Sequence, residues 1–169
     1  MGSPLSRDPI ADARRKWEER GWADVAAPMA AITAIMRTQQ ILLARIELTL
    51  KPFGLTFARY ELLALLSFAR NGSLPMNKAS ALLQVHPTSI TNAVDRLQDA
   101  GLVRRSPHPT DGRTTLVELT AEGRTLARRS TAALNAGVFS DPGFGPDDVD
   151  QLIRILRDFR RNAGDFSDS

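Results

Sequence analysis

Apolar residues recur along the chain with spacings that predict mostly helices. The clearest pattern covers residues 29–50, where an apolar residue returns every three or four positions except at Gln39. This spacing is typical of a helix with one apolar seam, and the helix ends near Lys51 because Pro52 cannot continue it. The seam packs either on the chain's own core or on a second subunit, where Gln39 would help to set the register. Its apolar members are Met29, Ile32, Met36, Leu43, Ile46 and Leu50.

The other helices are predicted from shorter patterns and from residues that begin or end helices. Thr56 and Thr120 suit helix caps, and Pro87 suits the first position of a helix. The predicted helices lie at 9–20, 29–51, 56–70, 77–83, 87–100 and 120–136, with a last one from 146 onward. The last helix is amphipathic, and one face of it is predicted to be buried through Val149, Leu152, Ile153, Leu156 and Phe159.

Two segments near the middle of the chain alternate as strands do. They lie at 103–106 and 114–119, and Asp111-Gly112 between them is a strong hairpin-turn signal. Two short helices joined by a tight turn and followed by a hairpin are typical of a winged helix-turn-helix. The chain is therefore predicted to be mainly α-helical, with a small β-hairpin wing.

The fold divides into a central module and helices at both ends. Residues 55–119 are predicted to form the winged helix-turn-helix, while residues 1–54 and 120–169 form the end regions. The apolar faces of the end helices are larger than the small module can cover. Pairing these helices between two copies of the chain would bury them and place two reading helices symmetrically. We therefore expect a homodimer.

Composition argues against several classes of site. The chain has no cysteine, which excludes a disulfide framework, a thiol nucleophile and any zinc cluster that needs cysteine. His86 and His108 are too few for a zinc site without carboxylate ligands. Neither paired carboxylates in a recognisable motif nor a glycine-rich phosphate loop is evident. We expect no enzymatic activity, no cofactor and no bound metal.

Hydropathy and charge exclude fewer functions than composition does. No apolar run approaches the ~20 residues that span a bilayer, and the first residues lack the apolar core of a signal peptide, so we expect a cytoplasmic protein without membrane contact. The net charge is +3, and residues 139–169 carry seven acids against four arginines. A charge this small does not by itself identify a polyanionic partner. Met1–Ser3 carry no weight in these predictions.

Three segments carry motifs as well as periodicity. They are DGRTTLVELTAEG at 111–123, VDRL followed by GLV at 94–103, and Leu55-Thr56 followed by a run of leucines. In this order they resemble the wing, the end of the recognition helix and the second helix of MarR-type transcription regulators. The likeness covers roughly residues 29–159. The extra N-terminal helix with Trp17 is similar to the subgroup that responds to urate and related small acids.

The resemblance implies a dimeric winged-helix repressor on pseudo-palindromic double-stranded DNA, released by a small anionic or aromatic ligand. One position departs from the family, because many relatives carry arginine where this chain has Thr91-Asn92. The base preferred at that contact therefore stays open. The alternative is a winged-helix protein-interaction module that binds neither DNA nor a ligand. Whether the protein represses or activates depends on where its operator lies, which the residues do not encode.

The helix at 87–100 carries the residues that we expect to read bases. Hydroxyl groups bond either class of base, and the amide of Asn92 both donates and accepts, which matches the edge of adenine. In the alternative, Thr88 and Ser89 only cap the helix and Asn92 faces water. The four candidates on its first turns are Thr88, Ser89, Thr91 and Asn92.

The hairpin and its surroundings carry further candidates. Arg113 at the hairpin tip is placed to enter a minor groove, and Asp111 is predicted to hold its side chain by a bidentate pair. The alternative is an ordinary turn with a solvated arginine. Arg96 either contacts phosphate or ties its helix to a neighbour. The phosphate candidates, each of which is otherwise a solvated charge, are Lys78, Arg104 and Arg105.

The resemblance places a ligand pocket where the dimerisation helices meet the winged module. Arginines beside apolar walls suit a carboxylate or phenolate ligand. Trp17 and Glu61 are added from the likeness to the urate-responsive subgroup, and His86 as a titratable residue at the turn. In the alternative, the arginines face water and His86 is a helix cap or a packed ring. The main candidates are Arg37, Gln40, Arg45, Arg59 and Tyr60.

Overall fold

The computed structural model describes residues 5–111 and 113–167. Met1–Ser3, Asp168 and Gly112 of the predicted hairpin turn lie outside the described residues. The helices are α1 (Pro9–Glu19), α2 (Ala23–Leu50), α3 (Phe57–Phe68), α4 (Met76–Leu83), α5 (Pro87–Asp99), α6 (Ala121–Leu134) and α7 (Pro146–Asn162). The strands are β1 (Ser73–Pro75), β2 (Val103–Pro107) and β3 (Thr115–Leu119). The prediction of a mainly α-helical winged helix-turn-helix is confirmed.

The three strands form one antiparallel sheet in the order β1-β3-β2. β2 and β3 are the predicted hairpin, with Val103 opposite Leu119 and Pro107 opposite Thr115. β1 was not predicted, because three residues after a turn are too few to show alternation. It pairs with β3 through Leu74 opposite Val117, so the wing is joined to the start of α4.

Most predicted helix starts and stops agree with the structure, but α2 begins at Ala23, six residues before the predicted start at residue 29. Gly54 has φ = 67°, a left-handed conformation that a glycine adopts without strain, and this residue turns the chain between α2 and α3. The Thr56 hydroxyl accepts a hydrogen bond from the Arg59 N–H at the start of α3. The Thr120 hydroxyl accepts one from the Gly123 N–H at the start of α6. Capping chemistry therefore sets where these helices begin.

The core lies under the winged module and reaches into the adjoining ends of α2 and α6. Three of the four leucines of α3 are fully buried, and α5 contributes Ile90, Val94 and Leu97 to the same cluster. From α2 only the C-terminal part joins this core, through Ile46 and Leu50. The division into segments at residues 54 and 119 stays a prediction.

The last helix differs from its prediction. No residue of α7 is buried in the single chain. Ile153 and Phe159 are 59% and 70% exposed, while Val149, Leu152 and Leu156 are only half-buried. The prediction that α7 buries these five side chains is wrong for one subunit. The physical reason is that α7 has few neighbours within one subunit. Leu152 and Leu156 border the groove beside α2, while Ile153 and Phe159 stay exposed.

A close approach joins α6 to the turn between α5 and β2. The Thr120 hydroxyl donates to the Gly101 carbonyl at 2.8 Å, and the Thr120 N–H donates to the Leu102 carbonyl at 3.1 Å. A Cβ atom on Gly123 would lie 1.9 Å from the Leu102 carbonyl oxygen, so only glycine fits there. The L-T-x-x-G part of the wing motif is thus explained by packing. No helix in the described ranges is both long and apolar enough to cross a membrane.

Candidate nucleic-acid interface

The helix α5 has one buried face and one free polar face. Pro87 occupies its first position, and the Nδ1 atom of His86 accepts a hydrogen bond from the Thr88 N–H at 3.2 Å. Ile90, Val94 and Leu97 point into the core. The opposite face does not pack into the core and stays accessible from outside, as a helix that enters a groove of DNA requires.

The four predicted base readers lie on this outer face and are exposed. The cap of the helix is His86, so Thr88 and Ser89 do not serve as the caps that the alternative proposed. The Thr91 hydroxyl donates to the Pro87 carbonyl at 2.9 Å, which leaves its oxygen free to accept. Asn92 is exposed. The assignment of these residues to base readout stays a prediction.

The wing tip is organised by Asp111. Its Oδ1 atom accepts from the Arg113 N–H at 3.1 Å, and its Oδ2 atom accepts from the Thr114 hydroxyl at 2.7 Å. The Thr114 hydrogen bond, and then the Arg113 N–H, hold the pKa of Asp111 below its usual value. The predicted bidentate pair between Asp111 and the Arg113 guanidinium is wrong, because both carboxylate oxygens are used to close the turn. Arg113 itself is exposed at the tip, beside Met76 and Asn77 at the start of α4.

The phosphate candidates have different surroundings. Lys78 on α4 and Arg96 on α5 are exposed. Arg104 lies on the outer side of the wing, where its Nε atom donates to Glu118 at 2.7 Å. The Ser106 hydroxyl and then Arg104 keep the pKa of Glu118 below its ordinary value.

Arg105 points back towards α5 instead of outward. Its guanidinium contacts Asp95 at 2.5 Å and Gln98 at 3.3 Å. Sequence reasoning missed both partners. The only available signal was their spacing of three residues, which puts them on one side of α5.

The eight predicted ligand residues are not gathered into one site. Trp17 lies edge-on to Trp22 at 5.2 Å between α1 and α2, and His86 caps α5. Tyr60 is buried, with its hydroxyl 3.2 Å from that of Thr131, and burial raises the pKa of Glu61.

The arginines among these candidates are bound to nearby polar groups. Arg37 donates to Gln40 one turn away on the exposed side of α2. Arg45 donates to the carbonyl oxygens of Asp141 and Pro142, and Arg59 to the Thr56 hydroxyl. None of these guanidinium groups converges on a shared cavity wall.

The structure instead shows an apolar groove between α2 and α7, with α3 at one end. It has a volume of 390 Å³, and its polar lining consists of Thr38 and Gln39 among the described residues. None of the eight predicted ligand residues lines it. Its walls come from segments far apart in sequence, so periodicity could not bring them together. The apolar lining is Ala34, Ile35, Leu42, Leu43, Ile46, Phe57, Phe144, Leu152 and Leu156.

The chain is similar in sequence and in structure to known transcriptional regulators. A sequence model described as the MarR family matches residues 53–114. The crystal structure of Sco5413, a MarR family transcriptional regulator from Streptomyces coelicolor, is similar with a TM-score of 0.76 and 46% identity, covering 84% of this chain and 99% of that one. The HTH-type transcriptional repressor Rv2887 of Mycobacterium tuberculosis is 30% identical over 102 residues, which are 60% of this chain and 72% of that protein. CouR from Rhodococcus jostii RHA1, bound to p-coumaroyl-CoA, has a TM-score of 0.66 and 26% identity over 80% of this chain and 93% of its own.

Proposed function

Because the chain belongs to the MarR family of transcriptional regulators, we propose that it is a homodimeric repressor of pseudo-palindromic operators, released by a small molecule. The observation that carries the proposal is the outer face of α5, which is polar and exposed beside an exposed wing arginine. A helix held by its buried face and open on the other is suited to a major groove, and an arginine at a wing tip to the adjacent minor groove.

Base readout is assigned to the first turns of α5. Thr88 and Ser89 offer hydroxyl groups that suit either class of base, and Asn92 suits adenine. Thr91 takes part as an acceptor, since its proton already goes to the Pro87 carbonyl. Lys78 and Arg96 are assigned to phosphates, which set the register without reading the sequence.

The homodimer is supported by apolar side chains that one subunit leaves uncovered. Ile32 and Met36 of the α2 seam are 64% and 58% exposed, and Ile153 and Phe159 of α7 are exposed as well. Several large apolar side chains left exposed on two helices are typical of a protein interface. To read an inverted repeat, the two-fold axis of such a dimer has to place two copies of α5 about 34 Å apart, one turn of DNA.

The effector is assigned to the groove between α2 and α7. Its apolar walls favour an aromatic molecule over one held mainly by charge, since the predicted arginines donate elsewhere. CouR is bound to p-coumaroyl-CoA, whose acyl group is aromatic. Because the groove touches both end helices and Phe57 of α3, a ligand there favours one arrangement of the module relative to the dimer helices.

The proposal is tested in two steps. A binding sequence is first selected from a pool of random duplexes. The enriched sequence and a scrambled duplex are then titrated by fluorescence at two salt concentrations. We expect an inverted repeat, bound about a thousand-fold more tightly than the scrambled duplex, with affinity falling steeply with salt. Aromatic acids and their thioesters are then screened for release of the enriched duplex. A pool without enrichment, or equal weak binding to both duplexes, would contradict DNA reading and favour the protein-interaction module.

A further inference from the structure

The outer face of α5 carries an acid among its polar residues. Asp95 lies three residues after Asn92 and seven after Thr88, so the three side chains share one side of the helix. Its side chain is 51% exposed. A carboxylate on a face that meets DNA repels the phosphates unless a cation compensates it.

The compensating cation comes from the wing. The Arg105 side chain is only 28% exposed, and its two terminal nitrogens donate to different acceptors: one to Asp95 at 2.5 Å and the other to Gln98 at 3.3 Å. This uses the planar fork of a guanidinium, which a lysine ammonium cannot reproduce. Arg105 is thus committed to α5 and is not a free phosphate-binding charge.

The position of Arg105 in the sheet allows this contact to restrain the wing. The wing is already tied to α5 at its root, where the Leu102 N–H donates to the Leu97 carbonyl at 2.9 Å. Arg105 lies three residues further towards the tip, opposite Val117 of β3. A second attachment beyond the root restrains the angle at which the wing leaves the helix.

We propose that Arg105 is a positioning residue, which sets the wing angle relative to α5 through Asp95 and Gln98 and thereby aligns the two elements for adjacent grooves. This inference rests on the proposed function, since it assigns a role within DNA reading. It replaces the prediction that Arg105 binds phosphate.

The two possible roles of Asp95, a repulsive charge or a partner of Arg105, predict opposite changes in DNA affinity for the same substitution. If Asp95 were only a negative charge near DNA, Asp95→Asn would tighten binding, because a repulsion would be removed. If Asp95 holds the wing through Arg105, Asp95→Asn weakens binding even though the protein becomes more positive. Asp99→Asn is the matched control, since it removes the same charge from the same helix, and no ion pair to Asp99 exists within the described residues.

Titration of the selected operator, followed by fluorescence anisotropy, measures whether each variant binds more tightly or more weakly than wild type. We expect Asp95→Asn and Arg105→Lys each to weaken binding about five-fold, while Asp99→Asn leaves it unchanged or tightens it. The double variant should bind no more than about two-fold more weakly than Arg105→Lys alone, because both changes break one contact. Asp95→Asn binding as tightly as wild type, or Arg105→Lys retaining full affinity, would overturn the proposal.

A measurement without DNA separates this inference from the proposed function. Amide hydrogen exchange of the free protein should be faster in β2 and β3 of Asp95→Asn and Arg105→Lys than in wild type, with α3 unchanged. Unchanged exchange in the wing would overturn the positioning role, whatever DNA the protein binds. Faster exchange combined with failure of wild type to prefer any duplex would retain the wing restraint and refute DNA reading.

Discussion

The winged module and the helices at the two ends of the chain differ in how their apolar faces are covered. In the module, Leu62, Leu63 and Leu66 of α3 are fully buried. In α7 no residue is buried, although its apolar residues are spaced just as regularly. Regular spacing therefore shows which side of a helix is apolar, while the amount covered depends on the neighbours that the fold supplies.

The helix α2 shows the same contrast within one element. Its seam runs unbroken in spacing, yet Ile46 and Leu50 are buried in the subunit core while Ile32 and Met36 are exposed. A charge at Ile46 would thus disturb the core and the expected dimer together. Only the N-terminal half of the seam gives a clean test of subunit pairing.

The largest expected effect is on the core of the module. Leu63→Ala should lower the free energy of unfolding by about 3 kcal/mol, since it removes fully buried methyl groups and leaves a cavity. Urea denaturation at low protein concentration measures the change. Leu48→Ala is the control, because it makes the same change at a 71% exposed position of α2 outside the seam. An equal loss of stability there under the same conditions would contradict the difference between the two regions.

The next effect concerns association. Ile32→Glu should shift the protein from dimer to monomer, because a carboxylate would be buried in the proposed subunit contact. Light scattering across a concentration series measures the mass. Leu82→Glu introduces the same charge at an exposed apolar position of α4, within the module, and should leave the dimer intact. A dimer that survives Ile32→Glu would exclude the seam from the interface.

A smaller effect is expected at the wing tip. Arg113→Ala should weaken operator binding by about ten-fold without changing the dimer, since the proposed contact with the minor groove would be lost. Arg37→Ala removes the same charge from the exposed side of α2, an end helix, and should change affinity little. Equal losses for the two variants at fixed salt would mean that net charge, and not position in the module, sets affinity.

The smallest effect is a pH dependence of the wing turn. Hydrogen bonds lower the folded pKa of Asp111 below the ordinary value of an aspartate, so the carboxylate stabilises the turn at every pH above the pKa of the unfolded chain. This contribution is lost as the pH falls through the still lower folded value. Nuclear magnetic resonance of Thr114 from about pH 6 to about pH 2.5 should show the turn loosening only at the acid end. Asp111→Asn should abolish the transition, and a transition near neutral pH in wild type would contradict this account.

Local signals made most of the fold predictable. Thr56, Pro87 and Thr120 act on the backbone within three residues, so their effects can be seen in the sequence directly. The boundaries of α5 and its polar outer face followed from the same short-range chemistry. The wing motif also anticipated the turn at Asp111, although not which atoms its carboxylate holds.

Long-range partners were not predictable in the same way. Arg105 contacts residues seven and ten positions away, and Arg45 contacts carbonyl groups nearly a hundred positions away. Nothing in the composition of a segment states where a flexible guanidinium will find an acceptor. The groove between α2 and α7 was not predicted for the same reason, because Phe57 and Phe144 become neighbours of α2 only after folding.

The edge-to-face contact of Trp17 and Trp22 has a consequence for spectroscopy. The chain has two tryptophans, and both lie in this corner between α1 and α2, with ring centroids 5.2 Å apart. The indole emission of the protein thus originates at one place, outside the helix-turn-helix and the wing. A change in that emission on adding DNA or an aromatic acid would report a rearrangement carried along α2, a readout of long-distance coupling that needs no attached dye.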